Sequence, residues 1–259
     1  MVKGLYTAYT GMINEQRRMD VLTNNLANAD TAGFKKVGAT SQSFDSVLAY
    51  KIKDNTDAAR GRNIGKMSLG VKTGETYTDF SEGSLRQTDN TFDLALSDSG
   101  FFTVEFTNKN GETSRKYTRD GSFTATQDGY LVTKDGDYLL DAGGRHIRID
   151  PLSEVVIDRS GTIYQNDSAV AALGLADFED YNYLEHYGEN YYQPVDGATI
   201  KPAQGQVIQG YLEMANMQVV SEMVQMISVS RAYESNQKII QTIDGSLEIA
   251  ANQLGRING

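Results

Sequence analysis

The 259-residue chain carries 24 Lys and Arg residues against 34 Asp and Glu residues, which gives a net charge of −10. This charge disfavours nucleic acid as a partner, because binding a phosphate backbone requires a basic surface and the sequence has no basic run. Cysteine is absent and histidine occurs only twice, so disulfides are excluded and a metal site is disfavoured. The sequence contains no run of about 18 apolar residues, so it predicts no membrane-spanning helix. We also expect no cleaved secretory signal.

The first 28 residues predict an amphipathic helix. Apolar residues recur at spacings of three and four, whereas Arg17, Arg18 and Asp20 fall off this stripe. Asn28 and Gly33 are residue types that commonly end a helix, so we expect the helix to end near Asn28. The stripe comprises Leu5, Ala8, Met12, Glu15, Met19, Leu22 and Leu26.

The middle of the chain has the alternating pattern of β-strands. Phe102 and Val104 are one example of an apolar pair two residues apart. Closely spaced Asp-Gly and Asn-Gly dipeptides, such as those at 120–121 and 128–129, favour short hairpins. Residues 51–78 are poorer in apolar side chains, which indicates an extended arm, linker or loop.

Residues 216–254 predict a second, longer helix. The stretch contains no Pro and only one Gly, Gly245, and would be about 58 Å long at 1.5 Å per residue. Alternate steps of four and three from Val219 give a stripe with eight apolar residues of eleven, a pattern typical of a coiled coil. The stripe comprises Val219, Met223, Met226, Ser230, Tyr233, Gln237, Ile240, Asp244, Leu247, Ala251 and Leu254.

Residues 24–35 read NNLANADTAGFK. This segment resembles the N-terminal signature of the flagellar rod and hook axial proteins, which is approximately NNLANxxTxGFK. Three further blocks, at residues 81–105, 117–136 and 209–244, are similar to the family in the same order. The last block contains QGYLE at 209–213 and RAYE at 231–234. The resemblance therefore covers nearly the whole chain.

The resemblance implies a structural subunit of the bacterial flagellar basal-body rod. Such a subunit polymerises through its terminal helices into the axial drive shaft that transmits torque to the hook. The implied partners are further copies of the chain, other axial proteins of the rod and hook, and the flagellar type III export apparatus. The implied location is the basal body, outside the cytoplasmic membrane. No catalytic residue, cofactor or metal ion is expected.

Together, the patterns and the resemblance predict an α+β fold whose two terminal helices pair as a coiled coil. We expect an N-terminal assembly helix at residues 1–30 and a turn with an extended arm at 31–80. A central, mainly β domain of short hairpins is expected at 81–208 and a C-terminal assembly helix at 209–259. Spacing alone leaves open whether the two stripes meet within one molecule or between molecules.

Three groups of residues are candidates for assembly. Arg231 and Glu234 of the RAYE element are candidate lattice contacts. The assembly signature comprises Asn24, Asn25, Leu26, Asn28, Thr31, Gly33 and Phe34. The helix-interface candidates are Leu5, Met12, Met19, Leu22, Leu26, Val219, Met223, Met226, Tyr233, Ile240, Leu247 and Leu254.

Several alternatives remain at this stage. Within the family the length of the segment from Phe34 to Leu85 favours the distal rod type, with the proximal type as the alternative. Outside it, a secreted coiled-coil adhesin and a cell-wall hydrolase are possible. A hydrolase needs a pair of carboxylates, which could come from among Glu82, Asp89, Asp93 and Asp98. Among 34 acidic residues, such a pair is expected by chance.

Overall fold

The computed structural model describes residues 2–44, 47–51, 62–67, 70–109, 111–188 and 190–257. Residues 52–61, 68 and 69 of the predicted arm lie outside this part of the chain. The elements are α1 (Val2–Ala27), β1 (Val37–Ser43), β2 (Val47–Lys51), β3 (Arg62–Met67), β4 (Val71–Thr78), β5 (Leu85–Gln87), β6 (Leu94–Ser97), β7 (Phe101–Thr107), β8 (Thr113–Thr118), β9 (Phe123–Ala125), β10 (Leu131–Thr133), β11 (Tyr138–Leu139), β12 (Val155–Ile157), β13 (Thr162–Gln165), β14 (Ser168–Ala172), β15 (Leu175–Phe178), a 3₁₀ helix (Tyr181–Tyr183), β16 (Leu184–Tyr187), β17 (Tyr191–Pro194), β18 (Ile200–Pro202), β19 (Gln206–Gln209), β20 (Tyr211–Glu213) and α2 (Val219–Ile257).

The chain folds into two compact units. Unit 1 comprises Met1–Leu26, Val37–Tyr77 and Gln218–Gly259, and therefore contains both long helices and β1 to β4. Unit 2 comprises Ala27–Lys36 and Thr78–Met217, and contains the remaining strands. Neither helix has, within the described residues, an apolar run long enough to cross a membrane.

Unit 2 is built on a nine-stranded sheet. Seven strands follow the order β16-β17-β8-β7-β11-β10-β9, while β15 pairs with β7 and with β18. In β7 the residues Phe101 to Val104 are all buried, because both faces of this central strand are covered. Successive side chains point to opposite faces, so Phe102 and Val104 join one apolar cluster and Phe101 joins another. The second cluster is aromatic and includes Tyr117, Phe178 and Tyr192.

Glycine turns connect several neighbouring strands of unit 2. Gly129 lies between β9 and β10, Gly136 between β10 and β11, and Gly161 between β12 and β13. All three have positive φ angles, of 84°, 93° and 80°, a conformation that glycine adopts without steric cost. The dipeptides at 128–129, 135–136 and 160–161 thus lie at tight turns between paired antiparallel strands. The hairpin predicted at 120–121 is wrong, because this dipeptide joins β8 to β9, which do not pair with each other.

The two helices of unit 1 are antiparallel. An ideal Cβ atom on Gly4 would lie 3.6 Å from Ile243, and one on Gly11 would lie 3.0 Å from the Asn236 side chain. Position 4 therefore faces position 243, and position 11 faces position 236. The two glycines are seven residues apart, so they lie on one face of α1. Their small size allows α2 to approach closely at both positions.

A second face of α1 packs against β1 and β4. The buried Asn14 side chain donates to the Ser41 hydroxyl over 3.0 Å, and its Oδ1 atom accepts from Thr73 over 3.5 Å. Thr10 is also buried, and an ideal Cβ on Gly70 would lie 2.1 Å from its hydroxyl. Helix α1 is thus enclosed by strands as well as by α2.

The predicted coiled coil of terminal helices is wrong. Val219, Met223 and Leu247 of the predicted stripe are 38%, 48% and 41% exposed. Instead, α2 turns a different heptad stripe inward, which shares with the prediction only Met226, Tyr233 and Ile240. The inward stripe comprises Glu222, Met226, Val229, Tyr233, Asn236, Ile240 and Ile243.

The physical reason is that α2 carries two overlapping apolar stripes. Both stripes contain Met226, Tyr233 and Ile240, and both contain polar residues. These are Glu222 and Asn236 in the inward stripe and Ser230, Gln237 and Asp244 in the predicted one, so a count of apolar residues does not separate the two stripes. In addition, α1 packs against β1 and β4 as well as against α2. A coiled coil would consist of the two helices alone. The structure supports an α+β fold with two long helices in the described residues and a large β-rich region.

Candidate assembly site

The outer face of α2 carries a stripe of exposed apolar side chains. Val220, Met223, Val224 and Ile227 recur at spacings of three, one and three residues and are 76%, 48%, 62% and 54% exposed. Nearer the C-terminus, Ile239, Leu247 and Ile249 are also exposed, but they lie on different faces of α2. Single exposed apolar residues are ordinary, whereas a contiguous stripe marks a contact surface.

The predicted helix-interface residues lie on both faces of the helices. Leu22 is buried, and Val219, Met223 and Leu247 are exposed. The Leu254 side chain lies outside the described part of the chain. The half-buried members are Leu5, Met12, Met19, Leu26, Met226, Tyr233 and Ile240. Their role between subunits stays a prediction.

Arg231 and Glu234 both lie on exposed positions of α2. The side chains of both residues are described, and the ion pairs of the described residues do not include one between them. Both charges are therefore open to solvent in the isolated chain, and their role as lattice contacts stays a prediction.

Asn25 joins the end of α1 to the start of β1. Its side chain is 2% exposed. The Nδ2 group donates to the Val37 carbonyl over 2.9 Å, and Oδ1 accepts from the Val37 N–H over 3.0 Å. The Asn25 amide therefore forms hydrogen bonds with both backbone polar groups of Val37, the N–H and the C=O. A residue of a neighbouring strand would form the same pair of bonds.

We expect Asn25→Ala to lower the free energy of unfolding of unit 1 by about 1–3 kcal/mol, because it leaves the N–H and C=O groups of Val37 without these partners. Urea unfolding followed by helical circular dichroism measures the loss. Asn252→Ala makes the same change at an exposed position of α2 and is the matched control. Equal effects of the two substitutions would contradict this role of Asn25.

The rest of the signature forms a turn after α1. The Thr31 hydroxyl donates to Asn28 Oδ1 over 3.2 Å, and its N–H donates to the Asn28 carbonyl over 3.2 Å. Gly33 has a φ angle of 69°, and an ideal Cβ there would lie 2.3 Å from backbone atoms of Arg119 and Asp120. Phe34 is 3% exposed. In the same signature Asn24 is exposed and Leu26 is half-buried.

Three buried charges lie beside this turn. Lys35 Nζ lies 2.5 Å from Glu213 Oε1, and Arg119 Nη1 lies 3.2 Å from Glu213 Oε2. The side chains of Lys35, Glu213 and Arg119 are 1%, 1% and 4% exposed. We call these three residues the buried ion cluster. One carboxylate thus balances two cations that water does not reach.

Backbone groups complete the buried ion cluster. Lys35 Nζ also donates to the Ser81 carbonyl over 2.7 Å, and Arg119 Nη2 donates to the Asp98 carbonyl over 2.7 Å. Burial lowers the pKa of Lys35, and the attraction of Glu213 opposes this effect. Glu213 therefore favours the charged form of Lys35 and supplies the negative charge that both buried cations contact.

Asn216 ties the same segments together through its amide. Its Oδ1 atom accepts from the Lys36 N–H over 2.8 Å, and its Nδ2 group donates to the Asp79 carbonyl over 2.6 Å. The Gly33 N–H donates to the Glu213 carbonyl over 2.7 Å. Residues 33–36, 79–83 and 213–216 of unit 2 are thus held by one network.

Sequence reasoning did not identify the buried ion cluster or the role of Asn216. The available signal was that Lys35, Arg119 and Glu213 each lie within a different family-like block. A charged residue inside an otherwise apolar motif is a candidate for a buried ion pair. Nothing in the spacing shows that residues 178 positions apart, as Lys35 and Glu213 are, meet in space.

A further buried carboxylate, Asp177, stabilises the aromatic side of unit 2. It accepts hydrogen bonds from Ser99, from the hydroxyl of Tyr181 and from the Phe178 N–H, and it pairs with Lys201. Burial alone would raise the pKa of Asp177, but these hydrogen bonds outweigh burial and lower it. Burial, together with the bond to Asp177, raises the pKa of Tyr181 to about 12.

We expect the Asp177 interactions to weaken in acid. Because the folded state keeps Asp177 ionised to a lower pH than the unfolded chain, its contribution is complete above the unfolded pKa of about 3.9 and is lost as the pH falls below that value. Asp177→Asn should lower stability at pH 7 by about 2–3 kcal/mol and make the decline from pH 5 to pH 2 shallower. Urea unfolding at each pH measures this, with Asp196→Asn at an exposed position as control. An unchanged acid slope would contradict it.

Comparisons with known proteins identify the family of this chain. Three family profiles match: "Flagella basal body rod protein" at residues 5–35, "Flagellar hook protein FlgE/F/G D1 domain" at 95–165, and "Flagellar basal body rod FlgEFG protein C-terminal" at 208–254. The flagellar basal-body rod protein FlgF of Caulobacter vibrioides is 31% identical over the full length of both chains. The chain belongs to the flagellar basal-body rod FlgEFG family. It is a structural subunit of the flagellar rod.

The relatives include both named types of rod protein. FlgG of Buchnera aphidicola (subspecies Schizaphis graminum) is 33% identical over 96% of this chain and 98% of its own. FlgG of Caulobacter vibrioides is 32% identical over 98% and 99%, close to the value for FlgF of that organism. These identities do not separate the distal type, FlgG, from the FlgF type. Membership of the FlgEFG family places the chain in the basal body with axial flagellar proteins as partners.

The comparisons favour the rod subunit over the adhesin and the hydrolase. The carboxylates proposed for a hydrolase have structural surroundings: Asp93 accepts from Asn90, and Glu82 accepts from the Asp98 N–H. Among the described residues, His, Asp and Glu do not gather in a group of three that could hold a metal ion.

Proposed function

We propose that copies of this chain polymerise through their terminal helices into the rod, which transmits torque to the hook. The observation that carries the proposal is the exposed apolar stripe of α2, from Val220 to Ile227. Burying the exposed parts of its four side chains would contribute on the order of 4 kcal/mol per contact. A subunit in a helical lattice makes several such contacts, so a modest contact suffices for a stable polymer.

The buried ion cluster supports a mechanical role in unit 2. Chain segments that carry torque must keep their relative positions under load. Lys35, Arg119 and Glu213 come from three distant parts of the sequence and are held by short, water-excluded bonds. Charged groups buried in this way tolerate few alternative arrangements, since any displacement leaves a buried charge unpaired.

We further propose that the subunit acts without catalysis and that it reaches the rod as an unfolded chain through the flagellar type III export apparatus. The rod role of the family supports both statements. Absence of cysteine is compatible with this route, because no disulfide has to form after export. Further axial proteins of the rod and hook would contact the two ends of the polymer.

Negative-stain electron microscopy of the purified chain at increasing concentration tests the proposal. The full-length chain should form rods, and variants that lack residues 1–27 or 219–259 should not. Tyrosine fluorescence of unit 2, which contains the aromatic cluster, reports whether the truncated variants keep this unit folded. Rods that persist after either deletion would refute polymerisation through the terminal helices.

A further inference from the structure

The helices of unit 1 carry two exposed apolar patches. The α2 patch consists of Val220, Met223, Val224 and Ile227 near the start of α2. The α1 patch consists of Tyr6 and Tyr9 near the start of α1, which are 48% and 49% exposed. Each patch follows the helical spacing of three or four residues, so each presents one continuous surface.

The two patches lie at opposite ends of the helix pair. Gly4 faces Ile243 and Gly11 faces Asn236, so the α1 patch lies level with residues 238–241 of α2. The centre of the α2 patch is 16 residues earlier in α2, which corresponds to about 24 Å at 1.5 Å per residue. A contact between one copy's α2 patch and another copy's α1 patch therefore shifts the second copy along the helix axis.

Both patches lie in stretches with almost no charge. Residues 4–14 contain no charged side chain, and residues 214–230 contain only Glu222, which is buried. In contrast, the next residues of α2 include Arg231, Glu234 and Lys238, all exposed. A charged surface docked on either patch would bury a charge without a partner, at a cost of several kcal/mol. Each patch therefore requires an uncharged, apolar partner, and the other patch meets this requirement.

We propose that the α2 patch of one copy binds the α1 patch of a second copy, displaced by about 24 Å along the helix axis. This pairing rests on the proposed polymerisation and specifies which surfaces meet. Because the two surfaces differ, the contact is heterologous: a complex of two copies leaves one α1 patch free at one end and one α2 patch free at the other. Repetition of the contact builds an open axial row of subunits, as a rod requires.

Two variants of the full chain test the pairing. Val220→Glu with Val224→Glu places charge on the α2 patch, and Tyr6→Glu with Tyr9→Glu places charge on the α1 patch. These positions are exposed, and glutamate is a good helix former. Leu152→Glu, at a 97% exposed residue of unit 2, is the matched control. Sedimentation and electron microscopy measure assembly, and circular dichroism measures folding.

We expect each variant alone to remain monomeric at concentrations at which the unmodified chain and the control form rods. An equal mixture of the two variants should form dimers and no rods, because one intact α2 patch and one intact α1 patch remain. Dimers of either variant alone would show that each patch binds its own kind, and would overturn the pairing. Rods from either variant would also overturn it while leaving polymerisation intact. Failure of the unmodified chain to assemble at any concentration would instead refute the proposed function itself.

Disulfide trapping tests the pairing without the charged variants. The chain has no cysteine, so single substitutions Val224→Cys and Tyr9→Cys introduce one thiol each. On mild oxidation of assembled protein, the mixture should give the Val224→Cys/Tyr9→Cys heterodimer in large excess over either homodimer. Equal yields of the three disulfide-linked species, or an excess of homodimers, would contradict the contact.

Discussion

Glu213→Gln should destabilise unit 2 more than any other single loss of charge in the buried ion cluster. The substitution keeps the size of the side chain but removes the carboxylate that forms ion pairs with Lys35 and Arg119, whose side chains are 1% and 4% exposed. Removing one partner of a buried ion pair typically costs about 3–5 kcal/mol, since the remaining charge is buried and uncompensated. We expect a loss in this range in urea unfolding monitored by tyrosine fluorescence, which reports on the aromatic cluster of unit 2. Glu179→Gln makes the same change at an exposed position and should have little effect.

The partners of Glu213 allow a sharper test. Lys35→Met removes one of the two cations and should reduce the cost of losing the carboxylate. The double variant Lys35→Met/Glu213→Gln should therefore be more stable than the sum of the two single effects predicts, by at least about 1 kcal/mol. Strict additivity of the two substitutions would show that Lys35 and Glu213 do not act as a pair.

Gly33→Ala should have the second largest effect. A methyl group at this position would lie 2.3 Å from backbone atoms of Arg119 and Asp120, and the φ angle of 69° is unfavourable for alanine. The left-handed conformation costs about 1–2 kcal/mol by itself, and relief of the clash requires the backbone to move. This movement would disturb the bond between Gly33 and the Glu213 carbonyl. We expect a total loss of more than about 3 kcal/mol in urea unfolding.

Gly188→Ala separates the two causes. Gly188 has nearly the same φ angle, 68°, but an ideal Cβ there meets no atom within 4 Å. Its substitution should cost only the conformational part, about 1–2 kcal/mol. If Gly33→Ala costs no more than Gly188→Ala, the close approach of Arg119 and Asp120 does not restrict this position.

Local features of this fold could be predicted from the sequence. The end of α1 was expected near Asn28 and lies at Ala27, because Asn and Gly residues act on the neighbouring backbone. The turn at Gly129 was expected for the same kind of reason, since a positive φ angle is decided within a few residues. Such features depend on short stretches that are complete in the sequence.

Contacts over long sequence distances could not be predicted. The inward face of α2 was misassigned because the predicted and the inward stripes share Met226, Tyr233 and Ile240. Spacing does not show that Glu222 lies inside unit 1 while Val219 and Met223 lie outside. Apolar spacing marks surfaces that will be buried, but it does not say whether the chain itself or another copy buries them. The cluster of Lys35, Arg119 and Glu213 required the fold, because motif positions do not reveal which motifs meet. The family role came from resemblance.

Deletion of the gene that encodes this chain is the most direct test of its role as a rod subunit. Basal bodies isolated from such cells should lack a complete rod and carry no hook, and restoring the chain should restore both structures and motility. Gold-labelled antibodies against unit 2 should bind the rod of partly dissociated basal bodies from unmodified cells. Complete rods and normal swimming in cells without the chain, or label that is absent from the rod, would contradict its role as a rod subunit.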